Sequence, residues 1–158
     1  MTTSDIMTPR EMSKILDRIF IGTYHSAQML DYGNRESITH VLNCTKDPHQ
    51  GLKHLHVRQV NIDDGFEIPA ELVFFAIQSI GEAVHGGGKI LVHCHAGISR
   101  SPSLVTAYLM DCGYSWDDAI ELIRQQRPYI QPHPRVALSV KKALGQYISP
   151  ATTLLGGE

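Results

Sequence analysis

Two kinds of segment alternate along this chain. Short runs rich in β-branched residues read as strands: 18–21, closed by Gly22, then 40–44 and 55–62. The run 89–93 is apolar almost throughout (Ile90, Leu91, Val92), the pattern of a strand covered on both faces. Between these runs the period changes to that of a helix. Leu72, Val73, Phe75, Ala76, Ile80 and Val84 recur at helical spacing after Pro69 and before the glycines at 86–88. Ser26 is read as the cap of a short helix reaching Tyr32 and stopped by Gly33 and Asn34. Pro102 opens a helix carrying Leu104, Val105, Ala107, Tyr108 and Leu109, which Gly113 ends. Ser115 caps the next, with Asp117, Asp118 and Glu121 in its first turns, where the helix dipole favours acids. A last helix is predicted over 135–148. Such alternation implies an α/β domain whose central, mostly parallel sheet is flanked by helices. It occupies residues 12–148, and the small or polar segments 1–11 and 149–158 are expected to be loosely held.

Composition narrows the partners. The 158 residues are 42% hydrophobic and 19% charged, enough apolar material for one domain with a real core. A formal net charge of −2 offers no global attraction for nucleic acid or an anionic membrane, so affinity for an anion has to be local. The three cysteines, Cys44, Cys94 and Cys112, are odd in number and widely spaced, which fits a reducing compartment better than a disulfide framework or a cysteine zinc site. Nothing resembles a membrane span or a signal peptide, and Thr2 stands where a myristoyl anchor needs glycine. A monomeric protein without cofactor or metal is expected, cytoplasmic and, in a eukaryote, nuclear as well.

The chemistry concentrates in 92–102, on a strand–loop–helix crossing. A short loop running into a helix aims several backbone N–H groups at one point, and the helix N-terminus adds partial positive charge. Gly97 permits a backbone shape that a Cβ would hinder. Cysteines placed at helix N-termini ionise at about pH 3.5–7.5, which makes Cys94 a candidate nucleophile. Arg100, six residues on, offers a planar fork for two oxygens of a phosphate. Phosphoryl transfer to such a thiolate needs an acid for the leaving oxygen, and the turn holding Asp63 and Asp64 supplies candidates.

The segment His93-Cys94-His95-Ala96-Gly97-Ile98-Ser99-Arg100-Ser101 resembles the HCxxGxxRS loop of the dual-specificity phosphatases, within the cysteine-based protein tyrosine phosphatase superfamily. The likeness continues in Arg18-Ile19-Phe20-Ile21-Gly22, in Ile38-Thr39-His40-Val41-Leu42-Asn43, in Ala107-Tyr108-Leu109-Met110 and in Arg127-Pro128-Tyr129-Ile130-Gln131-Pro132. It implies a protein tyrosine phosphatase-like fold and an enzyme acting on phosphotyrosine and phosphoserine or phosphothreonine in proteins. It further implies that Cys94 becomes phosphocysteine, and that Arg100 with the backbone of His95, Ala96, Gly97, Ile98 and Ser99 binds phosphate. Ser101 would steady the leaving thiolate, His93 would order the loop, and Asn43 would hydrogen-bond it. Asp64 is preferred to Asp63 as the acid, since the family usually places it two residues beyond the last strand aliphatic, here Ile62. His133 and Val136 depart from the family's usual Asn and Phe, which bears on substrate fit.

Blander readings stand beside these. Arg127 is ordinarily a helix-end cation, whereas the related position in some dual-specificity phosphatases contacts a second substrate phosphate. Cys44, at the end of a neighbouring strand, is either an apolar filler or a redox partner that traps oxidised Cys94. His93 and His95 fall short of a metal site, and His49, His54 and His56 read as solvated residues. Two other functions share the same residues. One is this chemistry on a phosphoinositide, phosphoglucan or RNA 5′-phosphate, and the other is a silent phosphoprotein-binding module. The lysine typical of lipid-directed loops is absent, and silent relatives generally lose the cysteine that this chain keeps.

Overall fold

The computed structural model describes residues 11–146. The loosely held termini expected from the sequence, apart from Glu11, and the predicted helix end at Ile148 lie outside these residues. Among the described residues five strands form one sheet: β1 (Met12–Leu16), β2 (Ile19–Gly22), β3 (His40–Asn43), β4 (His56–Gln59) and β5 (Ile90–His93), in the order β1-β2-β5-β3-β4. Only the β1–β2 hairpin is antiparallel, and the other pairs are parallel. The mostly parallel α/β architecture is as expected.

Strand alternation explains why the sheet is covered twice. Phe20, Val41 and Leu91 project to one face and pack with Ala27, Leu30, Ile38 and Leu52. Ile21, Leu42 and Val92, each one residue later, project to the other face and join the larger core. The helices are α1 (Tyr24–Gln28), which a 3₁₀ turn at Met29–Asp31 continues, α2 (Ala70–His85), α3 (Arg100–Asp111), α4 (Trp116–Gln126) and α5 (Pro134–Gln146). α3 is buried almost all round despite its Ser103 and Thr106, because those hydroxyls donate to the carbonyls of Ser99 and Pro102 one turn back.

Three local readings are corrected. β1 was not foreseen, because its two inward positions are Ser13 and Ile15 while Leu16 faces out, so its polarity does not alternate cleanly. The cap of α1 is Thr23, not Ser26. Thr23 Oγ1 accepts from the Ser26 N–H and Ser26 Oγ accepts from the Thr23 N–H, each at 3.0 Å, a reciprocal capping box. α3 begins at Arg100, two residues before Pro102, whose missing N–H belongs to the unpaired first turn in any case.

Register brings the functional residues together. In the parallel ladders Gly22 and Asn43 both lie opposite His93, and Gln59 lies opposite Asn43. The carboxyl ends of four strands therefore share one edge, and the loop after the central strand β5 leaves from its middle. Leu91, fully buried on that strand, should be sensitive to truncation. Leu91→Ala is expected to cost about 2–5 kcal/mol in urea unfolding, and a cost below about 1 kcal/mol would contradict the packing described.

Candidate active site

The loop from His93 to Ser99 is fixed through its carbonyls. His93 O accepts from the Cys44 N–H at 2.8 Å, His95 O from the Tyr24 N–H at 3.2 Å and Ile98 O from the Gln131 N–H at 2.8 Å. Cys94 O accepts from His93 Nδ1 at 3.0 Å, and Ser99 O from the N–H and hydroxyl of Ser103. Arg127 holds two more, with Nε 2.8 Å from Gly97 O and Nη2 3.2 Å from Ala96 O. In a trans peptide the N–H points opposite to the C=O. Carbonyls tied to the scaffold therefore turn the loop's N–H groups the other way, toward a cavity of about 410 Å³ lined by Cys94, His95, Ala96, Ile98, Ser99, Arg100 and Asp64, with Gln131 to Pro134 at its side. Gly97 makes this path possible. Its φ is +67°, and a Cβ there would come within 2.5 Å of Arg127 Nη2 and 2.7 Å of Gly22 O.

Cys94 lies at the floor, 3% exposed. The Gly97 N–H points at its sulfur from 3.2 Å, and Ser101 Oγ lies 3.3 Å away, within sulfur hydrogen-bond range. The start of α3 follows at Arg100, so the axial dipole also faces the sulfur. Arg100 Nη1 donates to Ile62 O at 3.0 Å, which ties the guanidinium to the segment leading into Asp63 and Asp64. Of these two acids only Asp64 lines the cavity. Asp63 turns away to pair with Lys46 at 2.8 Å on the exposed surface, where such pairs contribute about 0–1 kcal/mol.

Several expectations change. Arg127 is fully buried beneath the loop, its third nitrogen Nη1 donating to Ser13 Oγ at 2.8 Å. A guanidinium so enclosed has no surface to offer a second phosphate, and its place in the fold is that of a brace for the loop. The Asn43 side chain bonds not the cysteine loop but its own turn. Its Oδ1 accepts from the N–H and hydroxyl of Thr45, and its Nδ2 donates to Asp47 O at 2.8 Å. Asp47 in turn pairs with His95 at 2.9 Å, so Asn43 reaches the loop at second hand. Cys44 is fully buried, and burial, with the nearby Cys94 adding to it, pushes its thiol well up. A thiol held protonated suits the filler role.

His49 is not a solvated residue. Its Nε2 lies 2.8 Å from Nε2 of the buried His93, and its ring stacks on Tyr24 at 4.4 Å between centroids. Tyr24 also stacks on His95 at 5.5 Å. Tyr24, Asp47 and His49 were missed because Tyr24 starts α1 while Asp47 and His49 sit in the irregular connection between β3 and β4, far in sequence from the His93 and His95 they meet. His133, noted only as a departure, lines the cavity and packs 3.5 Å from where a Gly65 Cβ would stand. A larger cavity of about 680 Å³, between the β1–β2 turn and Tyr108, Cys112 and Tyr114, lies at the opposite end of the sheet from the loop.

The family model for the catalytic domain of dual specificity phosphatases matches residues 19–143. Dual specificity protein phosphatase 15 of Mus musculus is 33% identical over 125 residues, covering 78% of this chain and 53% of that protein. Its Homo sapiens counterpart is 35% identical over 122 residues, 76% and 41% of the two chains. The chain thus spans about half the length of these curated relatives. Among solved structures, the crystal structure of DUSP15 superposes with a TM-score of 0.76 at 31% identity, covering 91% of each chain. The human tyrosine phosphatase-like serine/threonine/tyrosine-interacting protein superposes with 0.78 at 27% identity, covering 89% of this chain and 99% of that one.

The clash that a side chain at 97 would meet gives a direct test of the cradle. Gly97→Ala is expected to weaken binding of inorganic tungstate, an oxyanion probe, by roughly tenfold or more in calorimetry, equivalent to about 1.4 kcal/mol. Gly145→Ala, with nothing within 4 Å of its added carbon, should leave affinity unchanged. Equal affinity in both variants would contradict the geometry.

Proposed function

We propose that this chain, which belongs to the dual specificity phosphatase family, hydrolyses phosphate esters on proteins through a phosphocysteine at Cys94. The observation that carries the reading is the convergence on one sulfur of the Gly97 N–H, the Ser101 hydroxyl and the start of α3, with Arg100 on the same cavity. In the first step the Cys94 thiolate attacks phosphorus while the ester P–O bond breaks, and Asp64 gives its proton to the leaving oxygen. The inward N–H groups and Arg100 hold the equatorial oxygens, where charge is spread in a loose transition state. In the second step water attacks phosphorus, the P–S bond breaks and Asp64 takes back a proton. Ser101 Oγ donates to the sulfur as it leaves with the electron pair.

Substrates are phosphotyrosine and phosphoserine or phosphothreonine side chains. Both relatives compared by sequence are named dual specificity protein phosphatases, which supports this choice. The interacting protein among the structural neighbours raises a binding-only role, and Cys94 in its cradle argues for hydrolysis instead.

Turnover on matched phosphotyrosine and phosphothreonine peptides tests the reading, with a phosphoinositide, a phosphoglucan and an RNA 5′-phosphate alongside. Cys94→Ser is expected to abolish phosphate release from the peptides. Asp64→Asn should lower it about 10²–10⁴-fold, and Asp63→Asn should leave it near the parent. Release confined to a non-peptide substrate would overturn the substrate class, and an active Cys94→Ser would overturn the mechanism.

A further inference from the structure

Behind Cys94 runs a chain of hydrogen bonds whose protons can be counted. At one end His93 Nδ1 lies 3.0 Å from Cys94 O, a carbonyl that only accepts, so Nδ1 carries a proton. At the other end His49 Nδ1 lies 2.8 Å from Gln28 Oε1. The orientation of that amide is set because Gln28 Nε2 donates to Gln50 O at 2.9 Å. His49 Nδ1 therefore carries a proton as well. In the middle the two Nε2 atoms face each other at 2.8 Å, a hydrogen-bond distance that requires a proton between them. Three protons on four ring nitrogens leave the two imidazoles with one positive charge between them.

We infer that His49 and His93 share one extra proton and form a cation behind Cys94, which makes His49 a positioning residue that favours the ionised sulfur. This rests on the hydrolytic reading of Cys94 and deepens it. The groups facing the pair come from several elements. They are Cys94 and the Asp47-paired His95 in the loop, Arg100 at the start of α3, Tyr24 on α1 and Asp31 in the 3₁₀ turn. Burial opposes the charge, pushing His49 down and His93 to about 4; the bond to Cys94 O acts upward on His93, while the neighbouring His49, His95 and Arg100 act downward on it. Asp31 opposes that trend for His49. On this proposal the ionised Cys94 sulfur supplies the further counter-charge, so that the proton on the pair and the negative charge on the sulfur sustain each other. A neutral pair has only two ring protons and must give up one of its three contacts.

The experiment follows protons and sulfur reactivity, not turnover. Imidazole ¹⁵N spectra of the native protein near neutral pH should assign three N–H protons to the four ring nitrogens of His49 and His93, and Cys94→Ser should show two. Two protons in the native protein would overturn the proposal whatever any variant does. The pH profile of Cys94 alkylation by iodoacetamide supplies the second readout. His49→Gln keeps a neutral hydrogen-bond partner for His93, and His49→Phe keeps only the stacking on Tyr24. Both should move the midpoint up by about one pH unit, roughly tenfold slower alkylation below it. If His49→Gln kept the native midpoint, a hydrogen bond without charge would suffice and the inference would fail. Such a failure leaves hydrolysis through Cys94 intact, whereas a Cys94→Ser variant that still releases phosphate would sink hydrolysis without touching the proton count.

Discussion

Each carbonyl from His93 to Ser99 accepts a hydrogen bond from a group outside the anion cradle, and the rest of the site depends on that constraint. A loop of this length has no regular structure to satisfy its backbone, and burying it with unpaired carbonyls would cost about 1–3 kcal/mol for each. The fold answers with donors from β3's end, α1's start, Ser103 on α3, the segment after α4, the His93 ring and one buried guanidinium. Once the carbonyls are claimed, the peptide planes have no freedom left, and their N–H groups converge on one cavity. The cradle is thus preorganised by bonds on its far side. Preorganised dipoles of this kind need no rearrangement when charge develops on a transferring phosphoryl group.

Arg127 and Arg100 divide two tasks that a sequence pattern does not separate. Arg127 is fully buried and spends its donors on loop carbonyls and Ser13, while burial pushes its own ionisation down and the nearby Tyr129, Cys94 and Glu11 push it back. Arg100 lines the cavity and reaches across to Ile62 O, so the anion clamp and the turn bearing Asp64 are mechanically joined. The cation that faces substrate is therefore supported by a second cation that never meets it. Asn43 and Asp47 show the same layering, with a side chain bracing a turn whose carboxylate then pairs with His95.

Much of this was legible in the amino-acid order, and the parts that were not share a cause. The run Ile90, Leu91, Val92 announced a strand covered twice, and the adjacent Cys94, Gly97 and Arg100 announced an anion loop, because strand, turn and helix start are contiguous. α2 was readable from its spacing and its bounding Pro69 and Gly86. β1 was not, since it exposes Leu16 and buries Ser13, whose hydroxyl accepts from Arg127, so that the site imposes a polar residue on an inward position of the strand. Asp64 could be preferred over Asp63 only by resemblance, and it is the tertiary pairing of Asp63 with Lys46 that sets them apart physically. His49 could not be found from sequence, because it meets His93 across 44 residues through a loop of no regular period.

The central claim is that the backbone of one loop forms the anion site. Amide chemical shifts of Cys94→Ser, followed while inorganic tungstate is added, test it most directly. The largest changes are expected at the N–H groups of residues 95–100 and at the Arg100 side chain. Changes concentrated instead around Lys14, Tyr108 and Tyr114 at the larger cavity, or no saturable change at the loop, would contradict it.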